Sequence, residues 1–355
     1  MARVSELPGI DRERVTRFVL ERVPGASPPV EFALISGGRS NLTYRVRAGA
    51  RDFALRRPPL GHVIATAHDM RREYRVLAAL ADTDVPVARP LALCEDPSVN
   101  EVPFYVMEFR DGVVLQDHVP EGFLRGPEDG RRISQALVDT LAALHAVDPR
   151  AVGLADFGRP GGYLARQVER WSKQWQANRT APLPEIEELL ARLARALPTS
   201  PHATIVHGDY RLGNMALDRR DPARVVAVFD WEMATLGDPL ADLGYTLIYW
   251  TEAGEQGAAG GVEATAVTAQ PGFFTRGELT EAYAKASGRD VDAIDFYQVL
   301  ALTKLAVISE GIYKRFQLGK TVGPGFEGMR RATEPLARRA LEIAAASPSA
   351  RLRGR

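Results

Sequence analysis

Apolar and polar residues alternate over short segments in the first 110 positions, whereas longer segments with helical spacing dominate the rest of the chain. Alternation is typical of strands, and apolar residues at i, i+3 and i+4 are typical of helices. The pattern predicts strands at 30–35, 42–46, 91–94 and 102–109, and a further strand that ends within 53–59. It predicts helices at 10–22, 67–81, 131–146, 163–178, 186–197, 278–287, 291–318 and 327–346.

Turn residues between these segments indicate how they connect. The strands at 30–35 and 42–46 flank a glycine turn, which predicts a β-hairpin. After Asp111-Gly112 the sequence changes from β-rich to helix-rich. We therefore predict an α+β chain with a small first domain at 1–110 and a larger helical domain at 111–355. Residues 253–272 are expected to form a mobile loop, and residues 347–355 a frayed tail.

Composition narrows the class of protein without revealing its chemistry. The chain has 355 residues, of which 45% are hydrophobic, as is usual for a globular protein. Its 45 basic and 45 acidic residues balance, so no overall charge favours nucleic acid or an anionic membrane. The single cysteine, Cys94, is expected to be a buried thiol. No apolar run is long enough for a membrane span, and we expect a cytoplasmic protein.

One polar stretch stands out, because residues 206–214 read VHGDYRLGN and precede an apolar strand that ends at Asp230. Phosphoryl transfer depends on a group that orients the acceptor hydroxyl and on Mg²⁺ that neutralises charge. We expect Asp209 to accept the hydroxyl proton, and Asn214 and Asp230 to supply oxygen ligands to Mg²⁺. A short hairpin of 214–218 and 225–229 would bring the two metal ligands together. His207 is expected to support the loop through hydrogen bonds.

The spacing His-x-Asp-x-x-x-x-Asn is the catalytic-loop pattern of protein kinases, with Gly208 in place of their arginine. Downstream, the chain has Asp-Trp-Glu at 230–232 and LGDPLADLG at 236–244. Together these motifs resemble the aminoglycoside phosphotransferase and choline kinase families. The resemblance implies a protein-kinase-like fold with two lobes and use of Mg²⁺ with ATP, or with GTP as the alternative nucleotide. It also implies that Asp242 braces the catalytic loop and that Arg211 stabilises charge, unless Arg211 forms a loop-bracing ion pair.

The same resemblance gives a role to the first hairpin. Glycine amides at Gly37 and Gly38 would approach the nucleotide phosphates, with Ser40 and Asn41 as further polar contacts. A plain hairpin turn is the alternative, since glycine pairs are common in turns. No Gly-Lys-Ser/Thr sequence follows, so the segment is not a Walker loop.

Three further nucleotide contacts follow from the resemblance. Arg56 occupies the position of the kinase lysine that binds phosphates, and arginine there is similar to the kinase-like domains fused to acyl-CoA dehydrogenases. Glu73, on the helix at 67–81, is the expected ion-pair partner of Arg56, unless it is a solvated surface glutamate. Met107-Glu108-Phe109 would form the hinge whose backbone binds the adenine ring.

The expected partner is a small-molecule hydroxyl acceptor whose identity the sequence leaves open, as it leaves open a monomer or a homodimer. Arginine at position 56 keeps a second interpretation available, a nucleotide-binding module with impaired catalysis. A third is a metal-dependent hydrolase whose site would combine His202, His207, Asp209 and Asp230.

Overall fold

The computed structural model describes residues 7–36, 41–60, 69–200, 203–255, 267–319 and 326–354. The chain divides into two compact units. The first comprises Met1–Asp111 and Val226–Ala234, and the second comprises Gly112–Val225 and Thr235–Arg355. Among the described residues, no helix is both long enough and apolar enough to cross a membrane.

The strands are β1 (Val30–Ser36), β2 (Leu42–Ala48), β3 (Arg51–Arg57), β4 (Pro90–Cys94), β5 (Phe104–Glu108), β6 (Thr204–Val206), β7 (Met215–Leu217), β8 (Val225–Val228) and β9 (Thr235–Gly237). The helices are α1 (Arg12–Arg22), α2 (Met70–Leu80), α3 (Pro127–Ala146), α4 (Tyr163–Asn178), α5 (Pro184–Arg195), α6 (Leu240–Tyr249), α7 (Arg276–Ser287), α8 (Ile294–Gln317), α9 (Arg330–Ala346) and α10 (Ala350–Arg353). Single 3₁₀ turns lie at Leu212–Asn214 and Trp231–Met233.

The first unit is built on a five-stranded antiparallel sheet in the order β1-β2-β3-β5-β4. Val15 and Val19, one turn apart on α1, enter a core cluster with Tyr44 and Phe104 from the sheet. Asp69 caps α2 by accepting a hydrogen bond from a backbone amide of its first turn. The predicted hairpin is present, because β1 pairs with β2.

The second unit is mainly helical, with a short antiparallel pairing of β6 and β9. Trp171 and Trp175 are buried one turn apart on α4, as the i, i+4 spacing suggests for core residues. The predicted helices are present, although their ends differ by a few residues from the sequence pattern. The start of α3, for example, is Pro127 rather than residue 131, because proline is well tolerated in the first turn.

Two local predictions were wrong. The strand predicted at 214–218 is shorter, because Asn214 closes a 3₁₀ turn and β7 begins at Met215. The frayed tail predicted at 347–355 contains α10, which Ser349 caps and which buries Leu352. A cap and one buried leucine stabilise a short helix that the polar composition of the tail conceals.

Candidate active site

The segment between β6 and β7 forms a loop that is held by a buried carboxylate. Asp242, in the first turn of α6, accepts hydrogen bonds from the backbone amides of His207 (2.6 Å) and Gly208 (2.7 Å). Gly208 has φ 85°, a left-handed conformation that strongly favours glycine. The predicted bracing role of Asp242 is thus confirmed.

Asp242 is itself held by His145 from the end of α3. The Nε2 of His145 lies 3.3 Å from an Asp242 carboxylate oxygen, and its Nδ1 lies 2.7 Å from the Tyr283 hydroxyl. Burial alone would raise the pKa of Asp242, but the His145 hydrogen bond, nearby imidazoles and the Gly208 amide lower it. Burial lowers the pKa of His145, while Asp242 opposes that shift. A neutral His145 donating to an ionised Asp242 fits both directions.

Asp209 follows Gly208 in this loop, and each oxygen of its carboxylate has a neighbouring side chain that orients it. Asn214 Nδ2 donates to one oxygen at 2.8 Å and to the Asp209 carbonyl at 2.9 Å, and Arg211 Nε lies 3.4 Å from the other oxygen. The Asp209 amide donates to His207 Nδ1 at 3.2 Å, which confirms the supporting role expected of His207. The Asp209 side chain remains 21% exposed, so a substrate hydroxyl can reach it.

Arg211 stacks its guanidinium 5.0 Å from the ring centre of Tyr249 while it pairs with Asp209. The loop-bracing alternative therefore describes its geometry in the structure. Charge stabilisation during transfer stays a prediction.

Sequence reasoning missed three residues at this loop, namely Lys304, Tyr245 and Tyr249. Lys304 on α8 donates from Nζ to the Gly208 carbonyl at 3.0 Å and lies 4.4 Å from the ring centre of Tyr245. Asp242, Tyr245 and Tyr249 follow an i, i+3, i+7 spacing on α6, a signal that could have identified the tyrosines. Lys304 carries no such signal, because it lies 96 residues from Gly208 in sequence.

In the first unit, Arg56 connects two carboxylates. Its Nε donates to Glu73 Oε2 at 2.8 Å, and its Nη2 donates to Asp230 Oδ1 at 2.5 Å. The predicted Arg56–Glu73 ion pair is present, and Glu73 is buried rather than solvated. Burial would lower the pKa of Arg56, but the charge of Glu73, supported by Tyr105, Asp230 and Glu232, raises it overall.

Glu73 also accepts hydrogen bonds from Tyr105 Oη (3.0 Å) and from Asn41 Nδ2 (2.7 Å). Burial raises its pKa to about 6, with repulsion from Asp230 adding to the shift and Arg56 opposing it. Asn41 Nδ2 lies 3.2 Å from Glu232 Oε2 as well. Asn41, predicted to contact phosphate, thus has its amide nitrogen directed to two carboxylates.

The remaining predicted nucleotide contacts are placed as follows. Gly37, Gly38 and Ser40 lie outside the described residues. Met107 is buried, and Arg45 stacks 4.9 Å from the ring centre of Phe109. The Glu108 amide donates to the Arg89 carbonyl at 2.9 Å, so this hinge N–H is engaged within the protein.

Asp230 has φ 66°, the one positive value among non-glycine residues in the described part of the chain. Its second carboxylate oxygen and the side-chain oxygen of Asn214 accept no hydrogen bond from a described residue. Carboxylate and amide oxygens suit Mg²⁺, so the donor chemistry of both predicted ligands fits that ion.

The hydrolase interpretation finds less support. His202 lies outside the described residues, and His207 Nδ1 is occupied by the Asp209 amide. Across the described ranges, no three His, Cys, Asp or Glu side chains form a group that could hold a metal ion.

Comparisons with known proteins address the family and the fold. The model of a family described as the phosphotransferase enzyme family matches residues 31–284. The chain is 36% identical to mouse acyl-CoA dehydrogenase family member 10 over 89% of its own length and 29% of that protein. It is 33% identical to chicken acyl-CoA dehydrogenase family member 11 over 94% of its length and 43% of that protein. The chain therefore spans less than half the length of these relatives.

Solved structures show the same fold. A Ralstonia eutropha protein described as a candidate aminoglycoside phosphotransferase has a TM-score of 0.82 and 33% identity, with 96% of this chain and 99% of that chain covered. The aminoglycoside phosphotransferase APH(4)-Ia, in complex with ADP and hygromycin B, has a TM-score of 0.59 and 14% identity, with 91% and 98% covered. These matches confirm the family resemblance and the α+β, kinase-like fold class.

Proposed function

The chain belongs to the phosphotransferase enzyme family, and we propose that it transfers the γ-phosphate of ATP to a hydroxyl group of a small molecule. The observation that carries the proposal is the loop around Asp209. The Asp209 carboxylate is oriented by Asn214 and Arg211 and is partly open to solvent, and Asp242 holds the amides of the two residues before it. This is the arrangement that a positioned general base requires.

In the proposed reaction, the acceptor oxygen forms a bond to the γ-phosphorus as the bond to the β,γ-bridging oxygen breaks. ADP leaves with that electron pair, and the acceptor proton moves to a carboxylate oxygen of Asp209. Arg211, beside Asp209, is proposed to turn toward the transferring phosphoryl group and balance its charge. When bound, Mg²⁺ would neutralise phosphate charge, with Asn214 and Asp230 as its protein ligands.

The nucleotide is assigned to residues 1–110 together with Asp230, and the acceptor to residues 111–355. Arg56 supports this assignment, because it forms the ion pair with a helix carboxylate that a kinase lysine would form. That observation favours an active enzyme over the catalytically impaired nucleotide-binding module. Backbone groups of the hinge at 107–109, and the loop containing Gly37, Gly38 and Ser40, are proposed to hold the base and the phosphates.

The class of acceptor is inferred from the relatives and from the charges near Asp209. Relatives include acyl-CoA dehydrogenase family members and, at 30% identity over 47% of this chain, viomycin phosphotransferase of Streptomyces vinaceus. Arg211 and Lys304 both place positive charge near Asp209. Like charges disfavour a polycationic acceptor, so we favour a neutral or anionic hydroxyl compound, such as a hydroxylated acyl-CoA, over an aminoglycoside.

A thermal-shift titration of the protein with ATP and GTP, with and without Mg²⁺, tests nucleotide binding first. A ligand that binds only the native state stabilises it by about 2.7 kcal/mol at 100 times its dissociation constant. We expect a Mg²⁺-dependent rise of several degrees with ATP, and loss of the Mg²⁺ dependence in Asp230→Ala. No shift with either nucleotide, together with a shift caused by Zn²⁺ alone, would favour the hydrolase instead.

Transfer itself is then measured with hydroxylated acyl-CoA and aminoglycoside acceptors, by ADP release and by the added mass of a phosphoryl group on the acceptor. Asp209→Asn should abolish transfer while it retains the ATP shift, because the amide cannot accept the proton. The exposed Asp139→Asn is the matched control and should keep both properties. Unchanged turnover in Asp209→Asn would remove Asp209 as the base.

A further inference from the structure

Gly208, the residue before Asp209, has its two flanking peptide groups held by opposite charges. Asp242 Oδ1 accepts from the Gly208 amide at 2.7 Å, in the peptide that joins His207 to Gly208. Lys304 Nζ donates to the Gly208 carbonyl at 3.0 Å, in the peptide that joins Gly208 to Asp209. The carboxylate comes from α6 and the ammonium from α8, so two helices fix the two peptides on either side of Gly208. With Gly208 at φ 85°, its peptide orientation determines the direction in which the Asp209 side chain leaves the backbone.

Lys304 has further interactions besides its hydrogen bond to the Gly208 carbonyl. Its ammonium lies 4.4 Å from the ring centre of Tyr245, where a cation is attracted by the aromatic face. Burial lowers the pKa of Lys304, whereas the negative charges of Asp209 and Asp242 raise it. Two carboxylates, one aromatic face and one carbonyl therefore surround this ammonium, and a charged lysine satisfies all four.

A second cation and tyrosine repeat this arrangement. Arg211 stacks on Tyr249, one turn after Tyr245 on α6, and pairs with Asp209 at 3.4 Å. The hydroxyls of Tyr245 and Tyr249 lie 3.3 Å apart, which links the two cation sites. The charged and titratable groups that face Asp209 in the described residues are thus Arg211, Lys304, Tyr245 and His207.

We propose that Lys304 is a positioning residue for phosphoryl transfer, which fixes the Gly208 carbonyl and thereby keeps the Asp209 carboxylate oriented as the base. The inference rests on the proposed function of Asp209 and adds to it a residue that no sequence motif contains. Lys304 acts through the Gly208 carbonyl, and it forms no bond with the acceptor in this proposal.

Lys314 offers an internal comparison. It lies on the same helix, α8, and its Nζ also donates to a backbone carbonyl, that of Ala177. It is half-buried, its hydrogen bond is exposed, and the charges that surround Lys304 are not among its contacts. Lys314→Met therefore removes a lysine-to-carbonyl bond from α8 without altering the catalytic loop.

The experiment compares Lys304→Met, Lys304→Arg and Lys314→Met in kcat and in KM for ATP. Lys304→Met should lower kcat about 10- to 100-fold, the range of a general-base contribution that is partly lost. KM for ATP should change less than about threefold, since uniform binding of the nucleotide is untouched.

Lys304→Arg keeps the charge and a donor to the Gly208 carbonyl, so it should restore most of kcat, and Lys314→Met should match the wild type in both measurements. A structural role alone would lower the yield of active enzyme and leave kcat per active site unchanged. An unchanged kcat per active site in Lys304→Met, no recovery in Lys304→Arg, or an equal loss in Lys314→Met would overturn the proposal.

Hydrogen exchange separates this proposal from the proposed function. If the wild-type chain transfers no phosphate to any acceptor, the function proposed above fails, but the clamp on Gly208 can still be measured. Exchange of the backbone amides at 207–214 should be faster in Lys304→Met than in Lys304→Arg or Lys314→Met. Equal exchange in all three variants would show that Lys304 does not hold the loop.

Discussion

Glu73 is a buried acid of the first unit whose pKa is raised by burial and lowered by the charge of Arg56. It is almost fully buried, accepts hydrogen bonds from Arg56, Tyr105 and Asn41, and lies near the charges of Asp230 and Glu232. Burial, as the largest effect, raises its pKa from 4.5 to about 6. An acid with a raised pKa binds its proton more tightly in the folded state than in the unfolded state. Its contribution to stability is therefore complete below pH 4.5 and disappears as the pH rises through 6.

The measurable consequence is a difference between the wild type and Glu73→Gln. A shift from 4.5 to about 6 corresponds to about 2 kcal/mol. Relative to Glu73→Gln, the wild type should thus lose about 2 kcal/mol in the free energy of unfolding between pH 4.5 and pH 7. Urea denaturation at both pH values measures this difference. Glu13→Gln, an exposed glutamate paired with Arg17 on α1, should run parallel to the wild type.

If the stability curves of Glu73→Gln and the wild type run parallel with pH, the raised pKa of Glu73 is wrong.

The titration of Glu73 should also affect nucleotide binding, because ionised Glu73 holds Arg56 in place. In the wild type we expect ATP affinity to fall below pH 6, and in Glu73→Gln we expect a weaker affinity with less dependence on pH.

At the residue scale, motifs predicted the groups that lie next to each other in sequence or that are named by the resemblance. The supporting His207, the loop-bracing Asp242 and the Arg56–Glu73 pair all follow from that source. Lys304, Tyr105 and Glu232 did not, because their contacts join distant segments through packing alone. A lysine on a helix with ordinary spacing gives no sign of which carbonyl it will meet.

At the scale of elements, α6 is the helix that supports the catalytic loop. It carries Asp242, Tyr245 and Tyr249 toward the loop, and Thr246 donates to the Tyr210 carbonyl at 2.9 Å. The acidic residue in its first turn therefore accepts hydrogen bonds from the loop as well as complementing the helix dipole. Asp242 satisfies two backbone amides and one imidazole in a site without solvent.

Asp242→Ala should for this reason destabilise the protein strongly. It leaves the amides of His207 and Gly208 and the Nε2 of His145 without their acceptor, and a broken buried polar network costs about 3–5 kcal/mol. Chemical denaturation measures the loss. Asp295→Ala removes a first-turn aspartate from α8 and should cost less than about 1 kcal/mol, the value of a helix-dipole contribution. Equal losses in the two variants would contradict a special role for Asp242.

The sequence pattern predicted elements better than their ends. Apolar periodicity located α4 at its observed bounds, Tyr163–Asn178, because both tryptophans fall on one buried face. Ends depend on caps and single contacts, which periodicity does not contain. Pro127 starts α3 before its first apolar residue, and Leu352 stabilises α10 by burial in a region of polar composition.

At the scale of the whole molecule, composition predicted a boundary near residue 111. It did not predict that a later segment of the chain belongs to the first unit. Residues Val226–Ala234 belong to the first unit, although 114 residues of the second unit, Gly112–Val225, precede them. Strand composition at 225–229 shows that a strand forms and says nothing about which unit will include it. The roles of residues 1–110 in binding the nucleotide and of residues 111–355 in binding the acceptor stay predictions. Asp230 lies in the second range by sequence but belongs to the first unit.

The returning segment should be necessary for the first unit to hold its structure. Within that unit, Val228 donates its amide to the Pro86 carbonyl at 2.7 Å, and Arg72 donates to the Ala234 carbonyl at 3.1 Å. Asp230 pairs with Arg56, and Glu232 accepts from Asn41. A fragment of residues 1–111 loses all four contacts and leaves the buried Arg56 with one carboxylate fewer, so we expect it to melt without a cooperative transition.

The matched fragment carries residues 226–234 on a flexible Gly/Ser linker long enough not to constrain their position. Thermal melts followed by circular dichroism should show a cooperative transition in the linked fragment, and Asp230→Asn in that fragment should lower its midpoint. Breaking one partner of a buried ion pair is strongly destabilising, because the remaining charge stays without compensation. Equal melts of the two fragments would mean that the first 111 residues fold alone and that the Arg56–Asp230 pair contributes only to function.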